Sequence, residues 1–221
     1  MCGRIAITLP NDAMVRLFAA VPANDLPPVP NYNVCPTTSI HVVMNDGHDR
    51  RLVSMRWGFI PHWYKEANGG PLLMNARAET IAEKPAFRAA CRERRCLIPI
   101  SGFYEWTRLE DGTKLPWYIH ADAPLALAGI WQEWSAKDGA EDVTQRTCAV
   151  VTTAANTPMA EIHHRMPVIV PEDKWALWLG EEGHGAARLM QPAPDDLLSF
   201  HRVDPKVNSN RASGPELIEP I

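Results

Sequence analysis

The chain has 221 residues, of which 46% are hydrophobic and 22% charged, with a formal net charge of −4. That length suits one domain with a proper core, and no apolar run approaches the ~20 residues of a membrane-crossing helix. The acidic balance argues mildly against a nucleic-acid partner, but it is uneven: residues 1–110 carry 13 Lys/Arg against 10 Asp/Glu, and residues 111–221 carry 9 against 16, so a phosphate-binding face would be built mainly from the first half.

The chain opens Met1-Cys2-Gly3-Arg4. Arg4–Leu9 reads as a strand feeding from this terminus. A helix follows with Met14, Leu17, Phe18 and Val21 on one face and Asn11 or Asp12 as its cap. Residues 22–36 hold five prolines and are expected to form an ordered loop. Ile40–Met44 and Leu52–Trp57 flank Asn45-Asp46-Gly47, the chemistry of a hairpin turn. A loop rich in aromatics (Trp57, Phe59, Trp63, Tyr64) leads to Leu72–Asn75, and a helix is expected near Pro85–Arg94. Cys96–Trp106 turns at Asp111-Gly112 and returns through Pro116–His120. Leu125–Trp134 and Thr147–Thr153 are the next strands, bridged by the polar stretch Ser135–Arg146. Val168–Val170 reads as a short strand and Glu172–Leu179 as a helix packing Trp175 and Trp178. The remainder reads as a loop closing back on the body. No repeat or linker divides the chain. The pattern predicts a single α+β domain over 1–221, with a curved, mainly antiparallel, barrel-like sheet and a few flanking helices.

Chemistry concentrates at the terminus. A methionine ahead of a small residue is routinely trimmed, and trimming would leave Cys2 with a free α-amine and a thiol on neighbouring carbons. The amine can condense with an aldehyde to an imine, and the thiol can then close a thiazolidine ring on the same carbon. Ordinary pKa values of about 7.7–8.0 for the amine and about 8.5 for the thiol leave a usable nucleophilic fraction of each near neutrality. The five cysteines include no CxxC pair, so reduced thiols, no metal and no cofactor are expected, and the absence of an opening signal segment points to the cytoplasm.

Three further segments place unusual polar residues in apolar strands: Asn75 in Leu72-Leu73-Met74-Asn75-Ala76-Arg77, Glu105 in Gly102-Phe103-Tyr104-Glu105-Trp106, and His163 with Arg165 in Ile162-His163-His164-Arg165-Met166-Pro167. Singly, each has a structural explanation: a turn cap, a solvent-facing pleat, a satisfied core histidine. Together they supply what aldehyde capture at an amine needs. Asn75 would orient the amine, Glu105 would shuttle protons, His163 would act as acid or base at the sugar oxygen, and Arg4 and Arg77 would hold phosphates. A glutamate among aromatic rings should have its pKa raised by desolvation, which suits proton transfer near pH 7.

These four separated segments, in this order, resemble the signature of the SOS-response-associated peptidase family, and the resemblance runs essentially end to end. It implies binding to abasic sites in single-stranded DNA and a thiazolidine crosslink through Cys2 that shields the lesion, with self-removal of Met1 and Schiff-base, lyase-type chemistry. It further implies that Cys2, Asn75, Glu105 and His163 form the site. Arg4 and Arg77 would contact phosphates, Trp63 and Tyr64 would wedge against neighbouring bases, and Thr152 would lie near the site. Exposed aromatics beside arginines suit single strands, and no basic helix for a duplex groove is evident. A monomer is the expected state. An N-terminal-nucleophile glutaminase would also begin Cys-Gly, but Asn75 is followed by Ala76, without the expected oxyanion Asn-Gly. The residues also leave room for a reader of modified bases with an inert Cys2, and for a general protease.

Overall fold

Ile5–Ile7 (β1) is apolar throughout and buried at every position, as a strand paired on both edges should be. One neighbour is Asn31–Val34 (β3) and the other is Arg95–Arg108 (β7), through Ile5↔Phe103 and Ala6↔Gly102. The computed structural model describes residues 2–138 and 141–221, with the side chains of residues 137, 138, 141 and 142 set aside.

Most of the sheet is built by two long hairpins. Ser39–Asn45 (β4) and Arg50–Trp57 (β5) pair antiparallel from Ser39↔Arg56 to Asn45↔Arg50. Their turn is tied by Asn45 Oδ1, which accepts from the Gly47 N–H at 2.6 Å, and Gly47 sits at φ +99°, a conformation that glycine adopts without penalty. β7 pairs antiparallel with Lys114–Asp138 (β8), which in turn pairs with Glu141–Ala154 (β9). β9 runs parallel beside β5, and β4 pairs with β7, so the order β4-β7-β8-β9-β5 returns to its start. The strands partly ring an axis, mixed in direction but mainly antiparallel, with few helices outside, which is the expected fold class. Fully buried Trp57, Phe59, Phe103 and Trp178 fill the main core.

Around the second half of β9 the sheet branches. Asn75–Arg77 (β6) runs parallel to it through Asn75↔Val150 and Arg77↔Thr152, and Arg165–Pro167 (β10) pairs with it antiparallel through Arg165↔Ala154 and Pro167↔Thr152. Ser199–Arg202 (β11) adds to the outer edge of β8. A smaller core of Ala6, Tyr104, Tyr118, Val203, Val207 and Leu217 seats the C-terminal segment, where the Tyr104 hydroxyl donates to the Tyr32 carbonyl at 2.7 Å.

Several expectations are corrected. The first helix (α1, Asn11–Phe18) ends at Ala19 in the left-handed conformation, so Val21 leaves its face. Val21 instead lies exposed in a two-residue strand (β2, Val21–Pro22) beside β5. The cap is Pro10, because the Asn11 side chain is engaged elsewhere, 2.9 Å from His41 Nε2. The proline-rich segment contains β3 where its prolines pause. The second helix (α2) is shorter than predicted, Arg88–Glu93. The polar stretch 135–146 is paired strand rather than a bridge, from Ser135↔Thr144 onward, as far as it lies within the described residues. It leaves the core, so no apolar alternation marks it; Val143 there is exposed. The strand expected at Val168–Val170 begins earlier, at Arg165, and only Ile169 bridges to Leu127. A short helix at Thr157–Ala160 (α3) is capped by Asn156, and a 3-10 turn at Glu172–Lys174 precedes the helix carrying Trp175 and Trp178 (α4, Trp175–Leu179). No helix among the described residues is long and apolar enough to cross a membrane.

Candidate functional site

Cys2 is delivered to a fixed place by backbone pairing. The Arg4 carbonyl accepts from the Tyr104 N–H at 2.9 Å, which sets the start of the chain beside the residue after Tyr104, namely Glu105. On a strand, residues two apart share a face, so Glu105 faces the side of Phe103 and the main core, where Cys2 also packs at 1% exposure. Glu105 is itself only 2% exposed. Burial pushes its carboxyl pKa up, while a hydrogen bond from the Trp106 backbone and the charge of His164 pull against the rise. Burial also pushes the Cys2 thiol up strongly, and the charge of Glu105 adds to the effect. The two groups therefore sense each other directly, in a dry environment where such effects are large.

Asn75 reaches the same point from β6. The Met74 carbonyl accepts both the Trp57 indole N–H and the Val150 N–H, each at 3.0 Å, which fixes the strand entering at Asn75. Its Nδ2 donates to the Cys2 carbonyl at 2.8 Å. Its Oδ1 is buried and has no hydrogen-bond partner among the described residues. An acceptor left open in this way normally costs stability; here it is an acceptor at the residue whose nitrogen would become the amine.

His163 stands half-buried, with its ring stacked on exposed His164 at a centroid distance of 4.4 Å. Its Nδ1 accepts from the Arg165 N–H at 3.0 Å and lies 3.2 Å from the Arg165 carbonyl. Burial is the main cause that lowers its pKa. The pKa of His164 is also lowered, first by His163 and to a lesser degree by Arg165 and Arg77.

The remaining predicted residues separate into groups. Arg77 is exposed at the end of β6, level with Thr152. Thr152 is fully buried, and its carbonyl accepts from the Ala78 N–H and from Arg165 Nη2, both at 2.8 Å; its contacts are with the protein's own framework. Arg4 is likewise engaged internally. Its Nη1 donates to Asn33 Oδ1 at 2.5 Å and to the Val207 carbonyl at 2.8 Å, and its guanidinium lies over Trp106 at 5.8 Å. Trp63 and Tyr64 stand on the loop between β5 and β6, edge to face at 6.4 Å, with Trp63 49% exposed. Gly70 leaves room for the phenol end of Tyr64, since a Cβ there would collide with the phenol oxygen. The Trp134 indole N–H holds the Tyr64 carbonyl at 2.8 Å. Sequence reasoning left two participants without a role, Arg165 and its partner Glu79, whose carboxylate takes both arms of the guanidinium at 2.6 and 2.9 Å. An arginine inside an apolar strand was a signal; its partner, 86 residues away, gave none.

Known proteins resemble the chain along its length. Residues 1–210 match the family described as SOS response associated peptidase (SRAP). A Bacillus subtilis protein named abasic site processing protein YoqW is 37% identical, over 99% of both chains. The rat protein named abasic site processing protein HMCES is 30% identical, over 100% of this chain and 76% of its own. A crystal structure of a Bacteroides thetaiotaomicron protein shares the fold, with a TM-score of 0.86 at 24% identity over the whole of both chains. With a match spanning nearly its entire length, the chain belongs to the SOS response associated peptidase family.

Proposed function

We propose that this protein processes abasic sites in single-stranded DNA by covalent capture at Cys2. While Met1 is attached, the Cys2 nitrogen is an amide and cannot condense. Hydrolysis of the Met1–Cys2 peptide bond, a self-processing step, frees the α-amine. That amine adds to the aldehyde of the ring-opened deoxyribose to give a carbinolamine, which loses water to form an imine. The thiol then adds across the C=N bond, with sulfur bonding to carbon and its proton passing to nitrogen, and closes a thiazolidine. No electrons are exchanged with an outside reagent. A carboxyl whose pKa is raised can give a proton to the departing oxygen and later take one from the thiol, which is the part assigned to Glu105. Asn75 Oδ1 holds the amine, and His163 serves as acid–base partner at the sugar oxygen. Reversal of the crosslink passes through the same imine.

The observation that carries this reading is the convergence of Asn75 and Glu105 on Cys2: one by a 2.8 Å hydrogen bond, the other from a buried position next to the point where the Tyr104 N–H meets the Arg4 carbonyl. The names of the relatives support the lesion as substrate. Arg77 would track the phosphates, and Trp63 would stack on a base beside the lesion.

Intact-mass measurement tests the scheme. The purified protein should lack Met1 and, with an abasic oligonucleotide, gain the mass of the strand less one water. A permanently retained Met1, or no gain, overturns it. Trp63→Ala should weaken equilibrium binding to a single strand by about 1–3 kcal/mol, the worth of one stacked base. Fluorescence anisotropy at fixed salt reads this, and unchanged affinity would remove Trp63 from the interface.

A further inference from the structure

We propose that Glu79 is a positioning residue for this site, acting through Arg165 to hold the ring of His163. The proposal rests on the capture reading above and adds to it the group that keeps His163 in register.

Glu79 and Arg165 come from different strands' ends. Glu79 lies two residues past β6, where the Ala78 N–H binds the Thr152 carbonyl at 2.8 Å, and Arg165 opens β10. Their bidentate pair therefore bridges the two strands that flank the end of β9. The fork geometry is the strong form of such contacts. The arginine side chain is 11% exposed and the glutamate 48%, so the pair is anchored on the arginine side and reachable on the other. The same Nη2 also donates to the Thr152 carbonyl at 2.8 Å and lies 3.3 Å from its hydroxyl. A guanidinium held on three acceptors leaves its backbone little freedom.

That backbone is what His163 leans on. Its Nδ1 meets the Arg165 N–H at 3.0 Å and the Arg165 carbonyl at 3.2 Å. The N–H suits the neutral ring, whose Nδ1 accepts and whose proton then sits on Nε2. The carbonyl suits the protonated ring, whose Nδ1 donates. The N–H and C=O of one residue thus serve both proton states of an acid–base group, and which ring nitrogen faces the substrate is set by the bond the other makes. Without the carboxylate, the guanidinium would be a mostly buried cation with no counter-ion, and its strand end would relax.

The test compares wild-type protein with Glu79→Gln and Glu79→Asp. Three readouts are taken: the rate of heat-stable adduct formation with an abasic oligonucleotide, the affinity for the same strand with its base intact, and the nitrogen-15 signals of the His163 ring. Glu79→Gln should slow the adduct roughly tenfold, as expected for loss of a charge-assisted hydrogen bond, with affinity changed less than about twofold. The ring should pass from one neutral tautomer, protonated at Nε2, to a mixture. Glu79→Asp should recover most of the rate. Unchanged ring signals overturn the proposal whatever the rate does, since a purely structural or charge role would leave the tautomer alone. Should wild-type protein form no adduct, the capture reading falls instead, and the ring signals of the free variants still decide the role of Glu79.

Discussion

Cys2→Ala protein mixed with an abasic single-stranded oligonucleotide and heated in denaturant should migrate entirely as free protein. Alanine keeps the α-amine, so an imine can still form, but without sulfur the ring cannot close and water reverses the condensation. Borohydride added before heating should therefore trap a covalent product in the variant, which separates the part played by nitrogen from that played by sulfur. The fold should survive. Cys2 packs in the main core at 1% exposure, and replacing a thiol by hydrogen removes one heavy atom, at a cost of about 1 kcal/mol, comparable to deleting one buried methyl group. Near-native circular dichroism alongside an undiminished heat-stable adduct would refute the mechanism.

The second large effect is expected from Glu105→Gln. Capture, reversal or both should slow by about a hundredfold or more, within the range for loss of a positioned general acid–base group. Stability should move the other way. The folded-state pKa of Glu105 lies above its ordinary value because burial disfavours the charged carboxylate. Between the unfolded and folded pKa values the native chain holds a proton that the unfolded chain gives up. Stability therefore falls as pH rises through that window and stays lower above it. Glutamine carries no such proton, so the variant should melt higher than wild type at neutral pH, with the difference vanishing as pH falls below the ordinary glutamate range. Melting curves across pH check this, and parallel profiles in the two proteins would show that the burial of Glu105 carries no cost. A buried carboxylate that lowers the stability of its own fold would fit the common trade between function and stability.

Much of this could be read from the residues because the signals are local. Asn45-Asp46-Gly47 between two apolar runs specifies its hairpin by turn chemistry alone, and Asn75 and Glu105 stand out because polar groups interrupt hydrophobic strands. What could not be read depends on distant partners. Glu79 in Ala78-Glu79-Thr80 looks like any solvated turn until Arg165 is folded against it. The polar arm from Ser135 onward is strand because its described residues find partners across the hairpin, not because a core demands it. Arg4 reads as a phosphate contact, yet its hydrogen bonds run to Asn33 and Val207, a use that only tertiary structure reveals. Val21 falls off the helix face because the left-handed residue at Ala19 ends the helix first.

The clasp between Arg4 Nη1 and the Val207 carbonyl joins groups 203 positions apart, and the small core around Tyr104 closes over the same junction. Closing so long a loop is entropically costly, so the setting of Cys2 depends on a segment distant in sequence as much as on its own neighbours.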